Sequence, residues 1–252
     1  MSAAGTSPRN GAEGRVAVVT GAGRGIGRAV ALELARAGYS LCIAARSREE
    51  LEATRSQTGL PANRVLIVLV DLEGAEGPDH LIGAALDCYG HIDVLVNNAG
   101  WAPPRTPILK MRPADIDRMI AVNLRAPIAL TRMAAGAMAA RGGGTIVNVA
   151  SSAAIKTPAG EAVYAATKAG LIAFTRAAFG ELRQEGLKLA VIVPGLVDTA
   201  LIPSNKRLDR AAMLSTADVA RAVMQIVNAP AGACPVEVTL EPQRDPERPR
   251  QG

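Results

Sequence analysis

Apolar runs of strand length alternate with segments of helical period along most of the chain. Strand-like runs fall at 15–20, 40–45, 65–70, 92–97, 144–150, 188–193 and 235–240, and helix-period segments at 25–37, 47–57, 78–89, 113–140, 160–185 and 215–228. Runs such as Val16-Ala17-Val18-Val19 and Val65-Leu66-Ile67-Val68-Leu69-Val70 have no polar residue at alternate positions, so neither face of these strands can be wet. The alternation therefore predicts an α/β fold: a doubly wound, seven-stranded parallel sheet with helices on both faces. Ligands of such sheets lie at the carboxyl ends of the strands, near the topological switch point. No repeat is evident beyond the alternation itself.

Composition narrows this picture. A chain of 252 residues with 49% hydrophobic content can bury one large core, and a single domain over 14–241 is expected. Residues 1–13 and 242–252 are expected to be flexible tails. The latter mixes Arg244, Arg248 and Arg250 with Asp245, Glu247, Pro246 and Pro249, too little apolar surface to offset ordering. Cys42, Cys88 and Cys234 are odd in number and widely spaced, which suits reduced thiols in a cytoplasmic protein better than a disulfide framework or a zinc site. Neither His80 nor His91 has metal-ligand neighbours, so no metal is expected. No apolar stretch approaches the roughly 20 residues of a membrane span, and the start lacks an apolar signal core. The net charge of +5 is spread along the chain and aromatic residues are 2%, which argues against nucleic acid as a partner.

Two motifs carry chemistry. Tyr164-Ala165-Ala166-Thr167-Lys168 places a phenol and an ammonium four positions apart, on one face of a helix, thirteen residues after Ser151. A free tyrosine, with a pKa of about 10, exchanges protons poorly near neutrality. A neighbouring cation is expected to bring that value down, while the Ser151 hydroxyl holds a substrate oxygen. Ser152 is the competing serine. The second motif, Thr20-Gly21-Ala22-Gly23-Arg24-Gly25-Ile26-Gly27, lies between an apolar strand and an amphipathic helix. Such a turn lets backbone amides at a helix N-terminus approach a pyrophosphate, although its glycine spacing is not that of the commonest dinucleotide fingerprint.

With these motifs the chain resembles the short-chain dehydrogenase/reductase family in its single-domain branch, from about Gly14 to Leu240. The matching elements also include Asp71-Leu72, Asn97-Asn98-Ala99-Gly100, Asn123 in Val122-Asn123-Leu124, and Pro194-Gly195-Leu196-Val197-Asp198-Thr199. The resemblance implies a Rossmann fold in which Ser151, Tyr164, Lys168 and Asn123 are catalytic. It implies that Gly21, Gly23, Gly25, Ile26 and Gly27 meet the cofactor phosphates, that Asp71 and Leu72 meet the adenine, and that Asn98, Ala99 and Gly100 lie against the cofactor. Pro194, Gly195, Val197 and Thr199 would meet the nicotinamide end, with Tyr164 and Lys168 also touching the ribose. Asn123 would bend the long helix and anchor a water linking Lys168 to solvent.

The choice of nicotinamide cofactor follows from charge. The acid that holds ribose hydroxyls in NAD-binding sheets is expected at Ala45, which is instead followed by Arg46 and Ser47, and Arg24 lies inside the glycine turn. Two guanidinium groups without an anionic neighbour favour a 2′-phosphate, so NADP(H) is expected over NAD(H), unless both arginines are merely solvated. Trp101 is expected to touch substrate or else to pack its own loop. The segment over 200–210 is expected to cover the substrate, and its mixed character, with Leu201 and Ile202 apolar and Lys206, Arg207 and Arg210 basic, leaves apolar, anionic and carrier-linked ketones open. The predicted activity is NADP(H)-dependent interconversion of a carbonyl and an alcohol. The alternatives are a non-catalytic NADP(H) sensor, a 3-oxoacyl carrier-protein reductase, and an epimerase or dehydratase that keeps its cofactor bound. The alanine-rich helices 113–140 and 160–185 suit the family's homotetramer, or a homodimer.

Overall fold

The computed structural model describes residues 14–202 and 208–247. Seven parallel strands form one sheet in the order β3-β2-β1-β4-β5-β6-β7. They are β1 Val16–Thr20, β2 Ser40–Ala45, β3 Val65–Leu69, β4 Val94–Asn97, β5 Gly144–Val149, β6 Leu187–Pro194 and β7 Glu237–Leu240. The order reverses between β1 and β4, so the loops after these two strands diverge and leave a crevice at their carboxyl ends.

Alternate residues of each strand feed opposite cores, as the period of two requires. From β1, Ala17 and Val19 pack with Val30, Leu34, Val219 and Val223. Val16 and Val18 pack instead with Leu81, Leu130 and Met138. The first set lies beneath helices α1 (Gly25–Arg36), α2 (Arg48–Thr58) and α8 (Thr216–Val227), the second beneath α3 (Gly77–Tyr89), α5 (Ala126–Ala139) and α7 (Ala162–Leu182). Asp93 ties the sheet at its amino end, its carboxylate accepting from Val16 N–H at 2.6 Å.

Two departures from the predicted elements bear on function. The helix expected over 113–140 is broken into α4 (Pro113–Ile120), a wide turn at Ala121–Arg125 with π-helical bonding, and α5. Pro127 has no N–H to give the Asn123 carbonyl, and the Ala126 amide reaches back five residues to the Ala121 carbonyl instead. The helix period runs unbroken through this stretch, which is why hydrophobicity alone conceals the turn. A short helix, α6 (Ala153–Lys156), also follows β5 and ends at Thr157, which has a left-handed φ of 44°.

Of the described carboxyl-terminal residues, Gln243, Arg244, Asp245 and Glu247 are exposed. Pro246 is buried and its carbonyl accepts from Asp209 N–H at 2.9 Å. The tail over 1–13, residues 203–207 of the expected cover and 248–252 lie outside the described residues.

Candidate active site

The crevice brings Ser151, Tyr164, Lys168 and Asn123 together from three segments, Tyr164 and Lys168 both standing on α7. Ser151 follows β5, and its hydroxyl accepts from Ala153 N–H at 3.2 Å and stands beside the Tyr164 phenol, whose pKa it lowers. Ser152 is buried, its backbone N–H donating to the Pro194 carbonyl at 2.8 Å, and Ser151 is the serine that acts on the Tyr164 phenol. One turn along α7, Lys168 is 4% exposed, and its Nζ donates to the Val149 carbonyl at 2.9 Å and stands 5.8 Å from the Tyr164 ring centroid. A side chain on Gly100 would come within 3.6 Å of that Nζ and 3.5 Å of Asn123 Oδ1, so the small residue leaves this space open.

The electrostatics reverse the expected direction for Tyr164. Tyr164 is half-buried, and burial pushes its pKa up to about 12. The bond from Ser151 lowers it in part and the Glu161 carboxylate adds to the rise. Lys168 does not depress it, because its own ammonium is so desolvated that its pKa falls to about 8. Glu161 is in turn paired with Arg105 at 2.6 Å, and Thr106 N–H bonds the Gly160 carbonyl, so the loop after β4 is tied to the start of α7.

Asn123 is fully buried and spends its side chain on the Trp101 backbone. Its Oδ1 accepts from Trp101 N–H and its Nδ2 donates to the Trp101 carbonyl, both at 2.8 Å. The wide turn thus clamps the loop that follows β4. The Trp101 ring lies under the Arg118 guanidinium at 4.3 Å, and Arg118 pairs with Glu73, so the indole is directed towards the β3–α3 loop. Leu201 is half-exposed. Ile202 is bonded into a turn with Thr199 and accepts from Arg210, which also meets Asp198 and the Thr199 carbonyl.

The glycine turn occupies the other side of the crevice. Gly21 and Gly25 have left-handed φ values of 64° and 57°, and Arg24, at the N-cap of α1, gives that helix no side-chain cap. A Cβ on Gly25 would point at Thr199 Cγ2, 3.7 Å away, so the helix start and the loop after β6 face each other across a narrow slot. Gly27 is small for a different reason, since a Cβ there would stand 2.2 Å from the Gly21 carbonyl oxygen. Asn98 props the turn from below, its amide nitrogen donating to Thr20 O at 3.0 Å and Gly21 O at 3.3 Å, while Thr20 Oγ1 accepts from the Asn98 and Ala99 amides.

A family model described as short chain dehydrogenase matches residues 15–209. The chain is 32% identical to an uncharacterized oxidoreductase of Staphylococcus aureus (strain USA300) over 228 residues, which is 90% of this chain and 97% of the relative. Among solved structures it is similar to a metagenomic short-chain oxidoreductase in complex with NADP, at TM-score 0.80 and 32% identity, covering 92% of this chain and 98% of the other. A 3-ketoacyl-(acyl-carrier-protein) reductase from Brucella melitensis complexed with NADH superposes at TM-score 0.84 with 27% identity, over 92% and 98% of the two chains. The chain belongs to the short-chain dehydrogenase family.

In this short-chain dehydrogenase a dinucleotide fits the crevice. The uncapped start of α1, the left-handed glycines and the open face of Gly100 leave backbone and space where phosphates and a ribose would lie. Several residues predicted to touch the cofactor also hold the fold together. Ser47 caps α2, accepting from Glu50 N–H at 3.3 Å, and Asp71 accepts from Glu73 N–H at 3.0 Å, with Leu72 buried beside it. Val197 is a core residue bridged to Leu214. Pro194 ends β6, and Gly195 N–H bonds the Leu240 carbonyl at 2.7 Å. A Cβ on Gly195 would meet Glu241 Oε2 at 2.6 Å, so Gly195 is confined by the chain after β7.

One charge at the site is not foreseen from the sequence. Arg24 and Arg46 are exposed as a phosphate contact requires, but Arg24 pairs with Glu50 at 3.7 Å. The end of β2 indeed lacks an acid, yet the first turn of α2 delivers one to the same corner. The strand end holds no trace of it, and the signal lies in the acidic first turn after a serine cap.

Proposed function

We propose that this oxidoreductase interconverts a ketone or aldehyde and an alcohol with NADP(H), Tyr164 acting as general acid and base. The observation that carries this reading is the Ser151 hydroxyl beside the Tyr164 phenol, with a buried lysine one helical turn away, at the carboxyl end of the sheet where the glycine turn lies. The nicotinamide supplies or takes the hydride when bound. Ser151 orients the carbonyl oxygen and stabilises the charge that develops on it. Tyr164, held protonated by its raised pKa, gives that oxygen its proton. Below about pH 8 Lys168 keeps a positive charge behind the ring, which favours the phenolate left after transfer and reaches towards ribose hydroxyls. Asn123 holds the Trp101 loop in register with them.

A phenol protonated at neutrality suits reduction, and alcohol oxidation requires the phenolate and so gains at alkaline pH. Arg24 and Arg46 support NADP(H) over NAD(H), as does the NADP in the metagenomic relative's structure. The small, partly exposed faces of Ala166 and Ala169 on α7 border a depression of about 410 Å³ with Pro158 and Ala159, which supports assembly into a tetramer or dimer through this helix. The experiment is a panel of ketones and alcohols followed by nicotinamide absorbance with both cofactors. Turnover of carbonyls, faster with NADPH, is expected; dinucleotide binding with no turnover of any pair would favour a sensor instead.

A further inference from the structure

The corner between the glycine turn and the end of β2 contains a carboxylate held in place by the fold. A methyl group on Gly23 would meet Glu50 Cβ and Glu50 Oε2 at 2.9 Å each and Ala45 Cβ at 3.6 Å. Glu50 therefore fills the space into which a side chain at the end of β2 would project. Its backbone is fastened there twice. Ser47 caps its N–H at 3.3 Å, and Arg28 donates to its carbonyl at 3.3 Å while also bonding the Gly23 carbonyl and Thr54 Oγ1. Thr54 Oγ1 in turn donates to Ala22 O at 2.9 Å, so the turn and the first turn of α2 move as one unit.

The carboxylate itself is less constrained. The Glu50 side chain is 38% exposed and its pair with Arg24 is long, at 3.7 Å, with the Arg24 side chain 67% exposed. Such a pair is weak and exchangeable. We propose that Glu50 sets the balance between NAD(H) and NADP(H), accepting the 2′-hydroxyl of the former and opposing the 2′-phosphate of the latter. The inference rests on the dinucleotide reading above and deepens it. A ribose hydroxyl is a donor that a carboxylate can accept, and Arg24 can then stay with Glu50. A phosphate at the same position carries charge of the same sign as Glu50 and competes with it for Arg24, with Arg46 as a second cation. NADP(H) preference in this chain is therefore narrower than the two arginines alone imply, because Glu50 supplies from α2 the acid that β2 lacks.

The test is calorimetric titration of the full chain with NADP+ and with NAD+ at low salt, for the natural protein, Glu50→Gln and Glu50→Asp. Glutamine keeps the size and removes the charge; aspartate keeps the charge and withdraws it from Gly23. Glu50→Gln is expected to tighten NADP+ and weaken NAD+, moving the ratio of their dissociation constants at least tenfold, and Glu50→Asp to move it the same way by less. A ratio unchanged within twofold in both variants overturns the proposal and leaves the redox reading standing. Failure of the natural protein to bind either dinucleotide overturns both. Because binding is measured, a Tyr164→Phe background must show the same shift, so loss of catalysis cannot imitate the result.

Discussion

At the scale of single residues, the spacing of Ser151, Tyr164 and Lys168 was legible in the chain because helix geometry alone puts the last two on one face. Their electrostatics were not. Depression of a phenol by a nearby cation assumes that the cation stays charged over the range in which the phenol titrates, and burial lowers the Lys168 pKa to about 8, so it is neutral there. This has a consequence for stability. Lys168 titrates at about 8 in the fold against 10.5 in its ordinary state, so between those values the unfolded chain binds a proton that the folded chain does not. Stability from this group therefore rises with pH above about 8, whereas below it the cost of burying the charge is present in full. Tyr164 acts oppositely between 10.0 and about 12, where the fold retains a proton that the unfolded chain has lost. Urea unfolding from pH 7 to 9.5 should show a rise that Lys168→Met abolishes; an equal rise in the variant would assign it to other groups.

At the scale of elements, strands and most helices were readable because the core clusters on the two sides of the sheet are built from alternate strand residues and from helix faces of regular period. The break in the helix over 113–140 was not legible in the hydrophobic rhythm, which a π-type turn leaves nearly intact, although the resemblance implied a bend at Asn123; the missing donor at Pro127 accounts for it. That turn directs Asn123 into the β4 loop, where two backbone groups of Trp101 depend on it. Asn123→Ala leaves both without their partner and should cost about 1–3 kcal/mol in a buried setting. It should also lower turnover more than dinucleotide affinity, because the loop it holds carries Gly100 beside Lys168. Unfolding midpoints and titrations on one preparation check this, and a variant with normal turnover would free Asn123 of any role in the reaction.

At the scale of the whole molecule, the order of the strands explains why motifs far apart in the chain meet: the reversal between β1 and β4 opens one crevice, and the segments after β1, β4, β5 and β6 all end on it. One feature of the carboxyl-terminal residues is not foretold by charge and proline content: Pro246 is buried and accepts one backbone bond from Asp209, while Gln243, Arg244, Asp245 and Glu247 are exposed. Assembly belongs to this scale too. A bulky charge on the small-residue face of α7, Ala166→Arg, should shift sedimentation at micromolar concentration from a tetramer or dimer to a monomer, and a natural protein that is already monomeric would refute the proposed interface. The central claim is proton delivery by Tyr164 beside a bound dinucleotide, and Tyr164→Phe tests it most directly, with NADP+ binding and carbonyl turnover measured on the same sample. The account predicts binding within a few-fold of the natural protein and turnover reduced by roughly 10²–10⁴-fold; turnover near the natural rate would contradict it.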